Sequence, residues 1–395
     1  MKAKADKIIN KEEDKYIVFG APHIGEEEIE EMIKTLRSGW LGTGPKTTEF
    51  ENMIASLTGA KYAMAVNSCT AALHLSLIVS GIGEGDEVIT TPLTFSATAN
   101  AIIHSGATPV FVDVNLDTMN IDETKIESAI TSKTKAIIPV HLAGRPVEMD
   151  KIMEIAKKHN LIVIEDAAHA IDAEYKGKKI GNIGDLTCFS FYVTKNITTG
   201  EGGMVLTNNK EYADKIKTMA LHGMSKDAWK RFSDEGYKHY EVVFPGFKYN
   251  MMDIQASLGI HQLKRLKQYD EHRKMIWDFY NKELKGLGID LPSYRGSDIK
   301  HVMHLYTVLV DEKKSGISRD NFMQELHKRG VGTGVHYNPV HLHKYYRETY
   351  GYKPGDFPNA EYIGSRTVSL PLSAKLTLEE AKRVVMAVKD VLKKK

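Results

Sequence analysis

Cys188-Phe-Ser-Phe-Tyr-Val-Thr-Lys195-Asn-Ile-Thr-Thr-Gly-Glu-Gly-Gly203-Met-Val-Leu-Thr207 sets one lysine between two apolar, β-rich runs, residues 186–193 and 204–207. A lysine at such a strand end aims its amine into a cleft, and partial desolvation there favours the neutral, nucleophilic form. Glycines at 200, 202 and 203 let the backbone turn sharply or pass close to a bound group. The bland alternative is a solvated lysine in a hairpin, and the rest of the chain opposes it.

Upstream, Leu161-Ile-Val-Ile-Glu-Asp166 reads as a buried strand that closes on an acid. A carboxylate there is costly unless a cation or a protonated group meets it, whether in a structural ion pair or in a ligand. Strand-like runs at 61–66, 87–91, 109–114 and 135–140 alternate with helical runs at 71–79, 96–105, 122–131 and 149–159. That alternation predicts a mostly parallel sheet with helices on both faces, whose ligands collect at the carboxyl ends of the strands. Between the first strand and its helix stands Asn67-Ser-Cys-Thr70. A polar strand-to-helix junction of this kind is a ready anion site or a plain N-cap.

Near the N-terminus, Ile29, Met32, Ile33 and Leu36 recur at helical spacing within an amphipathic helix over 24–37. Ser38-Gly-Trp-Leu-Gly-Thr-Gly-Pro-Lys46 follows, superficially a phosphate-binding loop, but Pro45 stands where the lysine belongs and no strand precedes it. Downstream, residues 227–237 read as a polar loop insert, and a helix over 254–263 carries the chain into a second unit. That unit has strands at 304–310, 334–337 and 367–370, a helix at 321–329, and a final helix. Thr377 and Glu380 form a capping box for the last helix, whose stripe is 378, 381, 384, 385, 388 and 391. The expected organisation is a large α/β domain over 1–255, N-terminal arm included, and a smaller α+β domain over 256–395.

The 395 residues are 42% hydrophobic and 26% charged, with 53 basic against 51 acidic side chains and a net charge of +2. The longest basic block is Lys393-Lys394-Lys395, so nothing points to nucleic acid or an anionic membrane. Cys69 and Cys188 make neither a disulfide framework nor a metal-ligand spacing, which fits a reducing compartment, the cytoplasm. No apolar run approaches the roughly 18 to 20 residues of a membrane span, and residues 1–16 lack the apolar core of a signal peptide. Ser80-Gly-Ile-Gly-Glu-Gly85 lacks the G-x-G-x-x-G spacing of a nicotinamide-binding turn.

A helix start at 68–71, an aromatic after a strand at Phe95, a strand-end acid at Asp166 and an amine at Lys195 share one sheet. A phosphorylated pyridine aldehyde requires this set: a helix N-terminus for phosphate, a ring to stack on, a carboxylate to keep the ring nitrogen protonated, and an amine to link to the aldehyde. Ser38-Gly-Trp-Leu-Gly-Thr-Gly-Pro-Lys46, Thr70-Ala-Ala-Leu-His-Leu75, Thr94-Phe-Ser-Ala-Thr-Ala-Asn-Ala-Ile102, Glu165-Asp-Ala-Ala-His169, Phe189 to Gly203, Tyr249-Asn-Met-Met-Asp-Ile-Gln-Ala256 and Ser369-Leu-Pro-Leu372 stand in that order along nearly the whole chain. At these residues the sequence resembles the DegT/DnrJ/EryC1/StrS family of sugar aminotransferases. Members use pyridoxal phosphate (PLP, or PMP in its amine form) on the aspartate-aminotransferase-like fold type I, with a seven-stranded sheet.

The resemblance implies that Lys195 links to the cofactor and then shuttles a proton, that Asp166 holds the ring nitrogen, and that Phe95 stacks on the ring. His169 matches a position near the cofactor's 3′-oxygen where the family has Gln or His, and Ser190 joins Ser68, Cys69 and Thr70 in the phosphate cup. One departure is Lys248, where many members have an Asn that reaches the phosphate of the neighbouring subunit; a lysine serves there as a point charge or is a surface residue. His336 and His341 resemble a segment lining the sugar-nucleotide pocket, and the Trp40 to Lys46 loop, Thr43 included, is a candidate substrate wall; loop histidines and a rigid turn are the alternatives. The implied activity is transfer of an amino group from glutamate to a keto group of a nucleotide-activated deoxysugar, C4 of a UDP-linked 6-deoxy sugar, for amino-sugar and polysaccharide biosynthesis by a homodimer with shared sites. A sugar 3-dehydratase of the same fold carries histidine in place of the lysine, which Lys195 opposes, and a non-catalytic regulator is opposed by the lysine, aspartate and cup together.

Overall fold

Strand residues of the first half alternate between two apolar faces, as a sheet covered on both sides requires. A computed structural model of the protein describes residues 16–224, 241–293, 296 and 298–393. The expected arm before residue 16 and the insert at 227–237 lie outside the described residues. Strands β1 (Tyr62–Val66), β2 (Glu87–Thr90), β3 (Thr108–Phe111), β4 (Thr134–Ile137), β5 (Ile162–Asp166), β6 (Leu186–Ser190) and β7 (Gly203–Thr207) form one seven-stranded sheet in the order β1-β7-β6-β5-β4-β2-β3. Only β7 runs antiparallel to its neighbours, so the mostly parallel sheet expected from the βα alternation is what forms.

The helices of this unit include α1 (Glu26–Ser38), α2 (Pro45–Thr58), α3 (Cys69–Val79), α4 (Ser96–His104), α5 (Met149–His159), α6 (Lys210–Met219) and α7 (Asp253–Lys264). Met64, Val66, Ile164, Cys188 and Val205 bury one face of the sheet under α3, α4 and α6. Ala63, Ala65, Val163, Phe189 and Met204 bury the other under α2, α5 and α7. The run expected as a helix over 122–131 is broken into a short helix Glu123–Ile126 and a 3₁₀ turn Glu127–Ala129.

Ala256, Ile260, Leu263 and Tyr269, beyond the division expected at 255/256, pack into this first core. A second core takes over at Ile276, inside α8 (Leu266–Leu284). It gathers β8 (Tyr306–Leu309), α9 (Arg319–Lys328), the antiparallel partner strand β9 (Thr367–Leu370) and α10 (Leu378–Lys393). Ile17 also packs here through a bridge to Val331, so the described start of the chain goes with the C-terminal unit. The expected strand at 334–337 is reduced to one bridge, Gly334 with Ser369, because the segment turns back so tightly that a Cβ on Gly334 would lie 2.7 Å from the His336 ring. The capping box is present: Glu380 accepts from Thr377 N at 2.8 Å and Thr377 Oγ1 from Glu380 N at 3.2 Å. Its stripe is buried except at Leu378, which is 38% exposed.

Helix α1 reverses the expected burial. Ile29, Ile33 and Leu36 are 42%, 40% and 51% exposed, while Glu28, Glu31 and Thr35 face inward. The inward acids are held by charge: Glu28 takes Arg265 Nη1 at 2.6 Å and Gln262 Nε2 at 2.9 Å, and Glu31 takes Lys46 Nζ at 2.7 Å. The glycine-rich loop after α1 is closed by Asp253, whose buried carboxylate accepts from Gly44 N (2.7 Å), Lys46 N (3.0 Å), Thr47 N (2.9 Å) and Thr47 Oγ1 (2.6 Å). An acid therefore occupies the N-terminus of α2, the place a phosphate would take in a nucleotide-binding loop.

Candidate active site

A cavity of about 550 Å³ opens at the carboxyl ends of β1, β5 and β6. One wall is the N-terminus of α3. Ser68 caps it, its Oγ accepting from Ala71 N at 3.1 Å and its carbonyl from Ala72 N at 3.1 Å. The N–H groups of Cys69 and Thr70, one residue earlier in the first turn, have no intrahelical acceptor and border the cavity. Burial pushes the Cys69 thiol well up, so it stays a neutral donor. The close glycines serve this wall: a Cβ on Gly203 would lie 2.5 Å from the Ser68 carbonyl, so β7 can approach the cup only as glycine, whereas Gly200 (φ +79°) makes the turn. Ser190, at the end of β6, completes the rim.

Asp166 closes β5 at 5% exposure. Its oxygens accept from Thr98 Oγ1 at 2.8 Å and Ala168 N at 3.1 Å. Desolvation still pushes the carboxyl up, against these two bonds and the more distant Lys195 ammonium. Lys195 sits five residues beyond β6, in the loop 191–202 rather than at the strand end itself. Burial brings its amine down to about 8, with Cys69 and Asp166 pulling the other way. The amine is still mostly protonated at neutral pH, but its neutral fraction is far larger than that of an ordinary lysine.

Opposite the cup stand three imidazoles and a phenol. His169 Nδ1 accepts from Ala143 N at 3.2 Å, so its proton is on Nε2, which donates to Tyr337 Oη at 3.2 Å. Tyr337 keeps its own proton, since burial holds the phenol well up, and that proton is free to face a ligand. His304 packs against His169 with ring centroids 4.3 Å apart and planes tilted by 32°, and His336 bonds Ser369 Oγ at 2.8 Å. Burial holds His169 and His304 far below the usual range and His336 down to about 4, so all three are neutral. Phe95, the residue before α4, stands 59% exposed at the mouth.

The cavity thus collects Ser68, Cys69, Thr70, Phe95, Asp166, His169, Ser190, Lys195 and His336. The other sequence candidates fall outside it. Trp40 donates to Thr43 O, Thr43 Oγ1 to Met251 O, and Lys46 is taken up by Glu31 and Glu49, so this loop is tied to α1 and α7. His341 is buried against Glu361 Oε1 at 3.0 Å and the Phe357 ring. Lys248 is exposed, on a segment that runs beside the end of β1: Asn67 Nδ2 donates to its carbonyl and Asn250 bridges Val66. Residues that sequence reasoning passed over include Thr98 and Tyr337, both inside motifs already singled out, and His304, whose only signal was a polar residue heading an apolar strand.

The DegT/DnrJ/EryC1/StrS aminotransferase family matches residues 22–389. The chain belongs to this family. It is 50% identical over 379 residues, 96% of this chain and 97% of the other, to the spore coat polysaccharide biosynthesis protein SpsC of Bacillus subtilis. Among solved structures it is similar to Spr1654 of Streptococcus pneumoniae, assigned as a sugar aminotransferase. The PMP form superposes with a TM-score of 0.89 at 37% identity, covering 96% of this chain and 98% of that one, and a PLP form has also been solved. Helicobacter pylori PseC, an aminotransferase involved in the biosynthesis of pseudoaminic acid, gives 0.88 at 33% identity, covering 96% and 99%.

As a DegT/DnrJ/EryC1/StrS aminotransferase of fold type I, the protein uses PLP and PMP. Its residues fit that cofactor on their own chemistry. Asp166 is a buried carboxylate pushed up for want of a close cation, which a protonated ring nitrogen supplies. The N–H groups of Cys69 and Thr70, which have no intrahelical acceptor at the positive end of α3, suit a phosphate. Among the described residues no helix is long and apolar enough to cross a membrane.

Proposed function

We propose that the protein is a sugar aminotransferase that moves an amino group from glutamate to the keto group of a nucleotide-linked deoxysugar, at C4 of a UDP-4-keto-6-deoxy sugar, in the cytoplasm. The observation that carries the reading is an amine brought down to about 8 in the same cavity as a buried, hydrogen-bonded aspartate. The relatives' work on sugars and polysaccharide supports the substrate class.

When bound, PLP supplies an aldehyde that links to amines and a protonated ring that draws electrons from the amino carbon. Lys195 is the amine that holds the cofactor and, once released, carries the proton to and from the reacting carbons. Asp166 keeps the ring nitrogen protonated, with Thr98 and Ala168 N–H fixing the orientation of its carboxylate. Ser68, Cys69, Thr70 and Ser190 would hold the phosphate, Phe95 would stack on the ring, and His169 would stand on the 3′-oxygen side with its Nε2 proton given to Tyr337 Oη. His336 lines the substrate side.

The active unit in this reading is a homodimer. Ile29, Ile33, Leu36, Trp40, Leu41 and Met252 expose an apolar surface of the kind a partner covers. The cup also offers no cation of its own for a dianionic phosphate, and exposed Lys248 is available to a neighbouring subunit.

The test is to load the protein with PLP, convert it with glutamate, and ask which keto-sugar nucleotides discharge the amine form. Discharge by 4-keto-6-deoxy sugars linked to UDP is expected. Borohydride should fix PLP to Lys195; fixation elsewhere would sink the assignment.

A further inference from the structure

The residue after the reactive lysine is tied to a distant part of the chain. Asn196 is 3% exposed; its Nδ2 donates to Val302 O at 3.0 Å, and its Oδ1 meets His304 Nδ1 at 2.9 Å. Since Oδ1 can only accept, His304 carries its proton on Nδ1. His304 is held in turn: its N–H donates to Ala143 O at 2.9 Å, its carbonyl accepts from buried Arg273, and its ring lies on His169. Asn196 and His304 are 108 positions apart, one in the loop between β6 and β7 and the other just before β8. The same short stretch therefore grips the lysine loop and the ring of His169.

We infer that the Asn196–His304 hydrogen bond is a positioning clamp that sets the Lys195 segment against His169 and keeps the lysine amine in the desolvated part of the cavity. A lysine has a long, flexible stem, so the height of its backbone decides whether the ammonium reaches water. With the bond gone, Asn196 leaves a buried donor at His304 unpaired, the loop relaxes, and the amine hydrates. The groups that face the amine from the surrounding elements are Cys69 on α3, Asp166 on β5, His169 after it, His304 before β8 and His336. All three imidazoles are neutral, so only Asp166 contributes a charge, and position rather than a changed neighbour accounts for any shift.

The inference rests on Lys195 being the reactive amine of the proposed site, yet its readout is independent of turnover. The full-length chain, stripped of PLP, is labelled with limiting trinitrobenzenesulfonate across a range of pH, and the modified fraction at Lys195 is measured by mass spectrometry. The wild-type midpoint is expected near 8. Asn196→Ala and His304→Ala should raise it by about one pH unit or more, close to tenfold less labelling at neutral pH. His304→Asn, whose amide nitrogen stands about where imidazole Nδ1 does, keeps the donor and should restore the wild-type midpoint while losing the ring contact. A wild-type profile in Asn196→Ala overturns the inference, as does a His304→Asn shift as large as that of His304→Ala. Thermal melting is followed in parallel: lower stability with an unmoved Lys195 midpoint makes the bond an ordinary tether, which also overturns the proposal. Should Asn196→Ala fail to fold, the two His304 variants carry the same comparison. Borohydride fixation of PLP away from Lys195 in the wild type would defeat the active-site reading and leave the clamp comparison standing.

Discussion

Replacing Lys195 with methionine should make the cofactor-free protein more stable at neutral pH, although it removes the proposed catalytic amine. Methionine keeps an unbranched stem of similar length and discards the ammonium, so packing changes little. Bringing the amine from 10.5 down to about 8 means that holding it charged in the cavity costs at most about 3 kcal/mol. Losing the cation also pushes the Asp166 carboxyl further up, which subtracts from the gain; a net of about 1 to 3 kcal/mol is expected at neutral pH. The sign with pH follows from proton counting. Below about 8 the lysine is charged in both states and the full cost stands; between about 8 and 10.5 the unfolded chain still holds a proton that the folded one has shed, so wild-type stability rises with pH. The advantage of methionine should therefore be greatest below about 8 and gone above 10.5. Denaturant titrations of both chains without PLP, at neutral and strongly alkaline pH, measure this directly. A variant less stable than wild type at neutral pH, or an advantage that does not shrink toward alkaline pH, would mean that the amine is already hydrated and not tuned by burial.

Asp166→Asn should still bind PLP but lose several powers of ten in turnover, because an amide cannot keep the ring nitrogen protonated; a fall of less than tenfold, about 1.4 kcal/mol of barrier, would make Asp166 structural. Gly203→Ala drives a Cβ to 2.5 Å from the Ser68 carbonyl, so equilibrium dialysis should show PLP affinity reduced by about tenfold or more; unchanged affinity would separate the cup from phosphate binding. Mixing Lys195→Ala with a Lys248→Ala chain should, after subunit exchange, leave one intact site in each mixed dimer and recover about a quarter of wild-type activity. Recovery of nothing, with exchange verified by mass, would mean that the sites are not shared, and a Lys248→Ala chain fully active by itself would return Lys248 to the surface.

Much of the site was legible in the chain because its chemistry lies at fixed places in a repeating βα pattern. Asp166 at a strand end, Ser68 to Thr70 at a helix start and Lys195 after an apolar run each combine a residue type with a local conformation that neighbouring residues dictate. Local pattern could not say which face of a helix meets the protein. Helix α1 shows the limit: its apolar stripe points outward and its acids inward, because Arg265, Gln262 and Lys46 wait on the inner side. In the same way it is Asp253, more than 200 positions away, that caps α2 at the Trp40 to Lys46 loop, and Glu361 that meets His341. Thr98, Tyr337 and His304 entered the site only because distant segments were brought together around Asp166 and His169. Sequence by itself determined the sheet, the cofactor and the family. Tertiary structure decided which polar groups find each other, since a hydrogen bond or ion pair depends on positions set by the whole packed core and carries no periodic signature along the chain.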